Sequence, residues 1–375
     1  MLLQEHLEEY TREQLLKQAR LLELKGCSKL RKADLIDRIV KSFCTEEVLR
    51  TRIACLTKEQ MDIFRRACDT PQDISINQAK DAMLLCRDWI GSFEDVTDRF
   101  CVFEEIIAVF DKIDDEAFRA DQRRKGWMMK CVPFVINYYG IAPIEVVYKL
   151  YSLKIKDSSV DDMINMLWDM PVDIVECCFL PMDRLGVSDW PQDDPVYSPR
   201  GLFIHIPILE NRESDWLLEE QSDKPFYIPS IQQLEEIDNM GYEASSIAYK
   251  KLETFLLRKL GMPRELATVY CLRVWANSCD GNSSSDIIDE LLNGDEPSVN
   301  EGQMDEFIEL LMNAHNNTRM KVNRGHKPNE IRDKIFVGDT VTAENGFFKK
   351  EKKIYPNALC PCGSGRKYKK CCGRR

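Results

Sequence analysis

Signatures of familiar catalysis are missing from this chain of 375 residues. It has no G-x4-G-K-[ST] or G-x-G-x2-G loop to cradle phosphates, no H-E-x2-H pair for a catalytic metal, and no G-x-S-x-G elbow for a nucleophile. Histidine is scarce: there are four, and neither His315 nor His326 is expected to have a ligand partner at metal-binding spacing. Acids number 63, so carboxylate pairs at i and i+3 or i+4 arise by chance and none is nominated. The enzymatic reading that survives is an unfamiliar active site within residues 46–330.

Long apolar runs are also missing. The longest uncharged apolar stretch, Cys131 to Ile144, holds Asn137, Gly140 and two prolines, which predicts no membrane span. The start Met-Leu-Leu-Gln-Glu-His-Leu-Glu-Glu lacks the basic and apolar regions of a secretory signal, so a cytoplasmic location is expected. Eleven cysteines lie outside the last sixteen residues, none at C-x2-C spacing and all single except Cys177-Cys178. They are expected to be small buried hydrophobes in a reducing compartment.

What is present is concentrated at the ends. Cys360, Cys362, Cys371 and Cys372 stand in the order C-x-C-x8-C-C, in a segment too short to fold by apolar burial. Two thiolates from each side of a Gly363-Ser-Gly365 turn suit a closed tetrahedral zinc site with no open position for substrate, one Zn2+ per chain. Metal binding would then supply the folding energy of the tail, on the order of 10 kcal/mol. A reactive or disulfide-linked pair is the competing reading. Between the ligands, Arg366, Lys367, Lys369 and Lys370 surround Tyr368, which fits phosphate contacts with base stacking, or an acidic protein surface, equally well. The segment resembles the SEC-C module, named for the C-terminus of the secretion motor SecA. All four ligand positions match, whereas Tyr355 to Leu359 reads Tyr-Pro-Asn-Ala-Leu where the module usually has Gly-Arg-Asn-Asp-Pro. That resemblance implies docking, to the chaperone SecB or the ribosome, and not catalysis.

At the other end, Thr11-Arg-Glu-Gln14 reads as a capping box opening a helix with Leu15, Leu16, Ala19 and Leu22 on one side. Gly26 breaks it, and Ala33, Leu35, Ile36 and Ile39 mark a second short helix. Lys25, Lys29, Arg31, Lys32, Arg38 and Lys41 face only Asp34 and Asp37 over this stretch. A helix start beside loop amides and Lys29, Arg31 and Lys32 makes an anion site; a protein-docking hairpin with a solvated basic face is the alternative. Residues Leu24 to Ile39 resemble the SAP and Rho N-terminal domains, helix-extended-helix modules associated with DNA and RNA respectively. Cys27 is read as packing.

Net charge is -11, and its distribution matters more than its sum. Residues 347–375 carry +9 and residues 1–41 carry +2, which leaves about -22 on the 305 residues between them. The middle should repel nucleic acid, so phosphate binding is expected at the ends.

The middle reads as mainly helical, with a second capping box at Thr57-Lys-Glu-Gln60 and a helical run from Ser75 to Trp89. A helix through Tyr139, a turn at Gly140 to Pro143, a helix to Tyr151, another from Ser159 to Met170, and β-rich pieces at Val172 to Leu180 and Leu202 to Ile208 suggest a winged helix over 127–208. Its third helix carries Asp161, Asp162 and Asp169 and no Lys or Arg, which predicts a protein-interaction or structural unit, not a DNA reader. Tyr249, Leu252, Leu256 and Leu260 make one helical stripe, further helices span Pro263 to Ala276 and Met304 to His315, and Asn277 to Gly302 reads as an acidic loop. Asn317, Arg319, Arg324 and His326 form a cluster that either lines a site, contacts RNA backbone, or is a polar collar.

The expected fold class is mainly α. The expected units are a helix-extended-helix module at 1–45, an acidic helical body at 46–225, a second helical unit at 226–330, a linker at 331–355 and a zinc knob at 356–375. The function expected is a nonenzymatic bacterial binding protein for nucleic acid or a nucleoprotein such as the ribosome. A docking adaptor for a chaperone-like or other acidic protein is the alternative, and no membrane partner is expected.

Overall fold

The computed structural model describes residues 1–185, 192, 194–222, 224–282 and 299–331. Packing divides the chain into Met1–Arg332 and Asp333–Arg375, and the fold described is that of the first unit. It is mainly helical with two small antiparallel sheets.

Helices α1 (Leu3–Leu7), α2 (Arg12–Leu21) and α3 (Lys32–Phe43) form the N-terminal hairpin. Thr11 starts α2 as the sequence predicts: its hydroxyl accepts from the Gln14 N–H, and its own N–H donates to the Gln14 side chain at 2.7 Å. Gly26, at φ 76°, turns the chain, and a short 3-10 turn, Cys27–Lys29, leads into α3. Leu15 and Ala19 of α2 and Leu35, Ile36, Ile39 and Phe43 of α3 are buried, while Ala33 stays exposed.

The hairpin shares this burial with the next elements of the chain. Helices α4 (Glu46–Ala54), α5 (Lys58–Asp69), α6 (Ala79–Arg87) and α7 (Glu104–Ile113), with the hairpin of β1 (Gly91–Phe93) and β2 (Phe100–Val102), join α1 to α3 in one apolar core from Leu3 to Phe118. The border expected at residue 45 therefore falls inside a single core. The β1–β2 hairpin has no counterpart in the sequence expectation. Only short strands pair there, and a bridge from Gln72 to Phe100 helps hold them.

A second core surrounds α8 (Glu116–Tyr138), α9 (Ile144–Tyr151) and α10 (Val160–Trp168). At Gly126 of α8 a Cβ would stand 2.5 Å from the Leu56 carbonyl, so glycine is what lets α8 pass this close to the α4–α5 link. Strands β3 (Ile141–Pro143), β4 (Cys177–Leu180) and β5 (Leu202–His205) pair antiparallel in the order β3-β5-β4. The segment runs helix, strand, two helices, a helical turn and two further strands. Three details differ from expectation. Pro143 ends a strand and not a turn, Val172–Val175 is a helical turn, α11, before β4, and β5 gives way to α12 (Ile206–Glu210). Asp161, Asp162 and Asp169 are exposed on and beside α10.

Helix α14 (Ile231–Met240) covers the second core's flank with Leu234 and Ile237, while α13 (Ser214–Gln221) places Leu217 and Leu218 in a smaller cluster with Ile141, Leu202, Ile204 and Ile208. Helices α15 (Ile247–Arg258), α16 (Arg264–Cys279) and α17 (Glu301–Asn316) make a third core in which Tyr249, Leu252 and Leu256 are buried and Leu260 packs at the edge. Each fully buried Leu or Phe of this kind contributes about 1.5–3 kcal/mol. Among the described residues no helix is long and apolar enough to cross a membrane.

Candidate functional site

The basic hairpin presents its cations to solvent. Lys25, Lys29, Arg31, Lys32 and Arg38 are all exposed. Lys32 donates to the Glu8 carbonyl at 2.5 Å, while no ion pair engages Lys25, Lys29, Arg31 or Arg38 among the described residues. Arg31 occupies the N-cap of α3 without a side-chain cap, so the first-turn amides are open beside these cations, with Asp34 the one acid in that turn. Arg12 joins the hairpin with no sequence signal to mark it, because its partners lie in the loop and not along its own helix. Its guanidinium donates to the carbonyls of Ser28, at 2.6 Å, and Leu30, at 3.2 Å, and so braces the loop from α2.

The cluster at 317–326 lies inside the protein. Arg319, Arg324 and His326 are buried, and Asn317 is half-buried with its amide on the Asn313 carbonyl at 2.9 Å. Arg319 donates from Nε to Glu243 at 2.9 Å and from Nη1 to the Gly325 carbonyl at 3.0 Å and to Glu330 at 3.3 Å. Lys327 meets the other oxygen of Glu243 at 2.8 Å. Arg324 donates to the Lys224 carbonyl at 2.6 Å, pairs with Asp194 at 3.6 Å, and lies 4.7 Å from the Phe226 ring centroid. These contacts tie residues 317–331 to the segment before α14 and the turn after it.

His326 corrects the sequence expectation, because it does have a carboxylate partner. Its Nδ1 lies 3.2 Å from Glu330, four residues along. Burial alone would raise the Glu330 carboxyl, but the hydrogen bond from His326, the charge of Arg319 and the Lys327 N–H overcome it and hold the group at about 2. Among the described residues no group of three or more His, Cys, Asp or Glu is placed to hold a metal ion.

The body cysteines are buried or half-buried free thiols. Burial pushes Cys44 and Cys55 up to about 12, so both stay protonated and unreactive at neutral pH. The nominated tail residues, Cys360, Cys362, Arg366, Lys367, Tyr368, Lys369, Lys370, Cys371 and Cys372, lie outside the described residues.

For that tail the comparisons with known proteins are specific. Residues 357–374 match the SEC-C motif. Similar proteins include the protein translocase subunit SecA of Clostridium acetobutylicum, 78% identical over 27 residues that make up 7% of this chain and 3% of that protein. The SecA of Clostridium tetani is 77% identical over 37 residues, 10% of this chain and 4% of the relative. The SecA of Acetivibrio thermocellus is 36% identical over 80 residues, 20% of this chain and 8% of the relative. The chain thus spans under a tenth of the length of these curated relatives. No solved structure matches the chain. The tail is a SEC-C motif, and the similarity reaches no further than a small share of the chain.

Proposed function

We propose that this is a nonenzymatic binding protein whose two basic ends, the N-terminal hairpin and a zinc-folded SEC-C tail, engage nucleic acid or a nucleoprotein such as the ribosome. The observation that carries the reading is the exposure of Lys25, Lys29, Arg31 and Arg38 without ion-pair partners among the described residues, at an open helix start. Residues 347–375 add a formal +9, against about -22 on the residues between the ends. Released counterions would drive such binding, which makes it salt-dependent and directs it away from the acidic body.

Cys360, Cys362, Cys371 and Cys372 would hold the zinc. Four thiolates are a complete donor set for it, and such a site is structural. The bound metal would supply the folding energy of the tail, leaving Arg366, Lys367, Tyr368, Lys369 and Lys370 displayed on a compact surface. The hairpin's two helices are joined through a 3-10 turn, Cys27–Lys29, and not an extended segment. Its likeness to SAP and Rho N-terminal modules therefore rests on the sequence from Leu24 to Ile39 alone, and the acidic α10 argues against DNA reading by residues 127–208.

A second reading has its own observation. The tail's likeness to protein translocase subunits SecA favours a docking adaptor, with the tail on a chaperone-like or other acidic partner and the hairpin structural. Purification of the protein from its own cells without nuclease separates the two. Recovered RNA, DNA or ribosomes support the first, and one acidic protein without nucleic acid supports the second.

A further inference from the structure

A recess of about 400 Å³ opens where α5 meets the start of α8, within the range of about 300–1,000 Å³ that holds small molecules. Lys58 and Arg65, at i and i+7, stand on one face of α5, and Arg119 and Arg123, at i and i+4, on one face of α8. All four line the recess, with Met61 and Gln122 between them and Asp62 as its one carboxylate. Four cations against one carboxylate give the lining a formal +3, on a body that carries about -22.

Most acids beside these residues in sequence are engaged elsewhere. Asp115 is paired with Arg50 at 2.7 Å, Asp121 with Arg124 at 3.2 Å and Lys125 at 2.9 Å, and Glu59 with Lys130 at 2.6 Å. Glu116 acts on Arg119 but does not line the recess. Asp114 shows what the guanidiniums do with an anion. Arg65 holds its two oxygens at 2.6 and 2.7 Å and Arg119 holds them at 2.9 and 3.1 Å. Those hydrogen bonds, from Arg65 first and then Arg119, keep its carboxyl below the ordinary range.

The same contacts fix the two arginines, and the Phe110 ring backs Arg65 with its centroid 5.1 Å away. They leave Nη1 of Arg119 without a hydrogen bond among the described residues, on a side chain that is 55% exposed. Lys58 and Arg123 are exposed and make no side-chain hydrogen bond or ion pair among those residues. These donors are therefore reachable from solvent.

We infer that this recess binds a small molecule through a diphosphate or triphosphate group. Three of the four cations are arginines, whose planar forks match phosphate oxygens in pairs, and the charge of the lining calls for several negative charges in a small volume. An acidic peptide, with one charge per residue, spreads its charge too widely. The phosphates bridge Lys58 of α5 and Arg123 of α8, with Arg119 donating from Nη1. The site shares no residue with the two basic ends.

The test is titration calorimetry of the intact protein at fixed salt in magnesium-free buffer, with inorganic diphosphate, ADP, orthophosphate and hexa-aspartate. Diphosphate and ADP should bind, and orthophosphate and hexa-aspartate should bind at least about tenfold more weakly. Equal affinity for the first two means that the phosphates alone are recognised, and tighter ADP that the nucleoside adds contacts. Lys58→Gln together with Arg123→Gln should weaken both by about tenfold or more at unchanged helix content, because neither side chain holds another part of the fold. A variant with Glu at Lys25, Lys29, Arg31, Lys32 and Arg38 should bind both like the parent. The inference is overturned if neither diphosphate nor ADP binds, if the double variant binds them like the parent, or if hexa-aspartate binds as tightly as diphosphate. Loss of binding in the hairpin variant would place the phosphates at the N-terminal end and overturn it too. Nucleic-acid binding by the ends is judged on the hairpin variant alone, so the two readings fail separately.

Discussion

The Arg319 guanidinium carbon lies 3.4 Å from the centroid of the Tyr227 ring while its Nε stands 2.9 Å from Glu243. Stack, fork and charge pair meet in one buried side chain, and only a planar guanidinium satisfies all of them.

Replacing Arg319 with Met should therefore destabilise the unit by about 3 kcal/mol, toward the lower end of what breaking a buried pair costs. Lys327, 2.8 Å from Glu243, limits the loss. Arg319→Lys should recover little of it, because lysine restores neither the stack nor the fork. Urea midpoints of the three proteins check this, and an Arg319→Met protein as stable as the parent would show that the buried pair holds nothing together.

The pH dependence of stability is set in part by Glu330. Its folded pKa of about 2 lies below the ordinary value of 4.5, so the folded state binds fewer protons than the unfolded one between these values. Its contribution to stability is fully present above the unfolded pKa and is lost as pH falls through the folded one, over a window of about pH 5 to pH 2. Glu330→Gln should lower stability at neutral pH and flatten this part of the acid limb. Denaturation midpoints across that window for both proteins provide the check.

Much of the local structure was legible in the sequence because it is specified locally. Thr11 with Gln14 and Thr57 with Gln60 each close a capping box within four residues, and the helices begin where those boxes predict. Helices α8, α9 and α10 were readable for the same reason, whereas β3 was expected as a turn and α11 as part of a β-rich piece. What escaped depends on distant partners. Arg319 meets Glu243 across 76 residues, so local composition shows a polar segment and not its burial. The unity of hairpin and body is of the same kind, since Leu35 and Phe118 share a core that no spacing reveals.

That shared core makes a separate prediction. Leu35→Ala should cost about 3 kcal/mol through the lost burial and the cavity left behind. The loss should appear in the cooperative unfolding of the whole core from Leu3 to Phe118. Amide hydrogen exchange measures it: protection should fall in α4, α7 and the start of α8 as well as in α3. Loss confined to residues 1–45 would mean that the hairpin is a detachable module.

The zinc assignment is checked by metal content. The pure protein should hold about one zinc per chain, as expected for one closed four-thiolate site. Cys371→Ser should weaken or abolish that binding and leave the helix content unchanged, because the cores of Met1–Arg332 are built from that unit's own apolar side chains and not around a metal. Full zinc loading of a chain ending at Asn357 would contradict the assignment.

The most direct measurement of the central proposal is the salt dependence of binding to a short RNA and a short duplex DNA. It compares the intact zinc-loaded protein with a variant in which Lys25, Lys29, Arg31, Lys32 and Arg38 are replaced by Glu. All five side chains are exposed, so the variant should fold. The parent's affinity should fall with salt, with a log-log slope of about -0.9 per phosphate contacted on duplex and about -0.7 on single strands. The variant should lose several kcal/mol, at about 1 kcal/mol or more for each charge-assisted contact removed. A folded variant that binds both nucleic acids with the parent's affinity and slope would contradict the proposal and leave the docking adaptor as the better account.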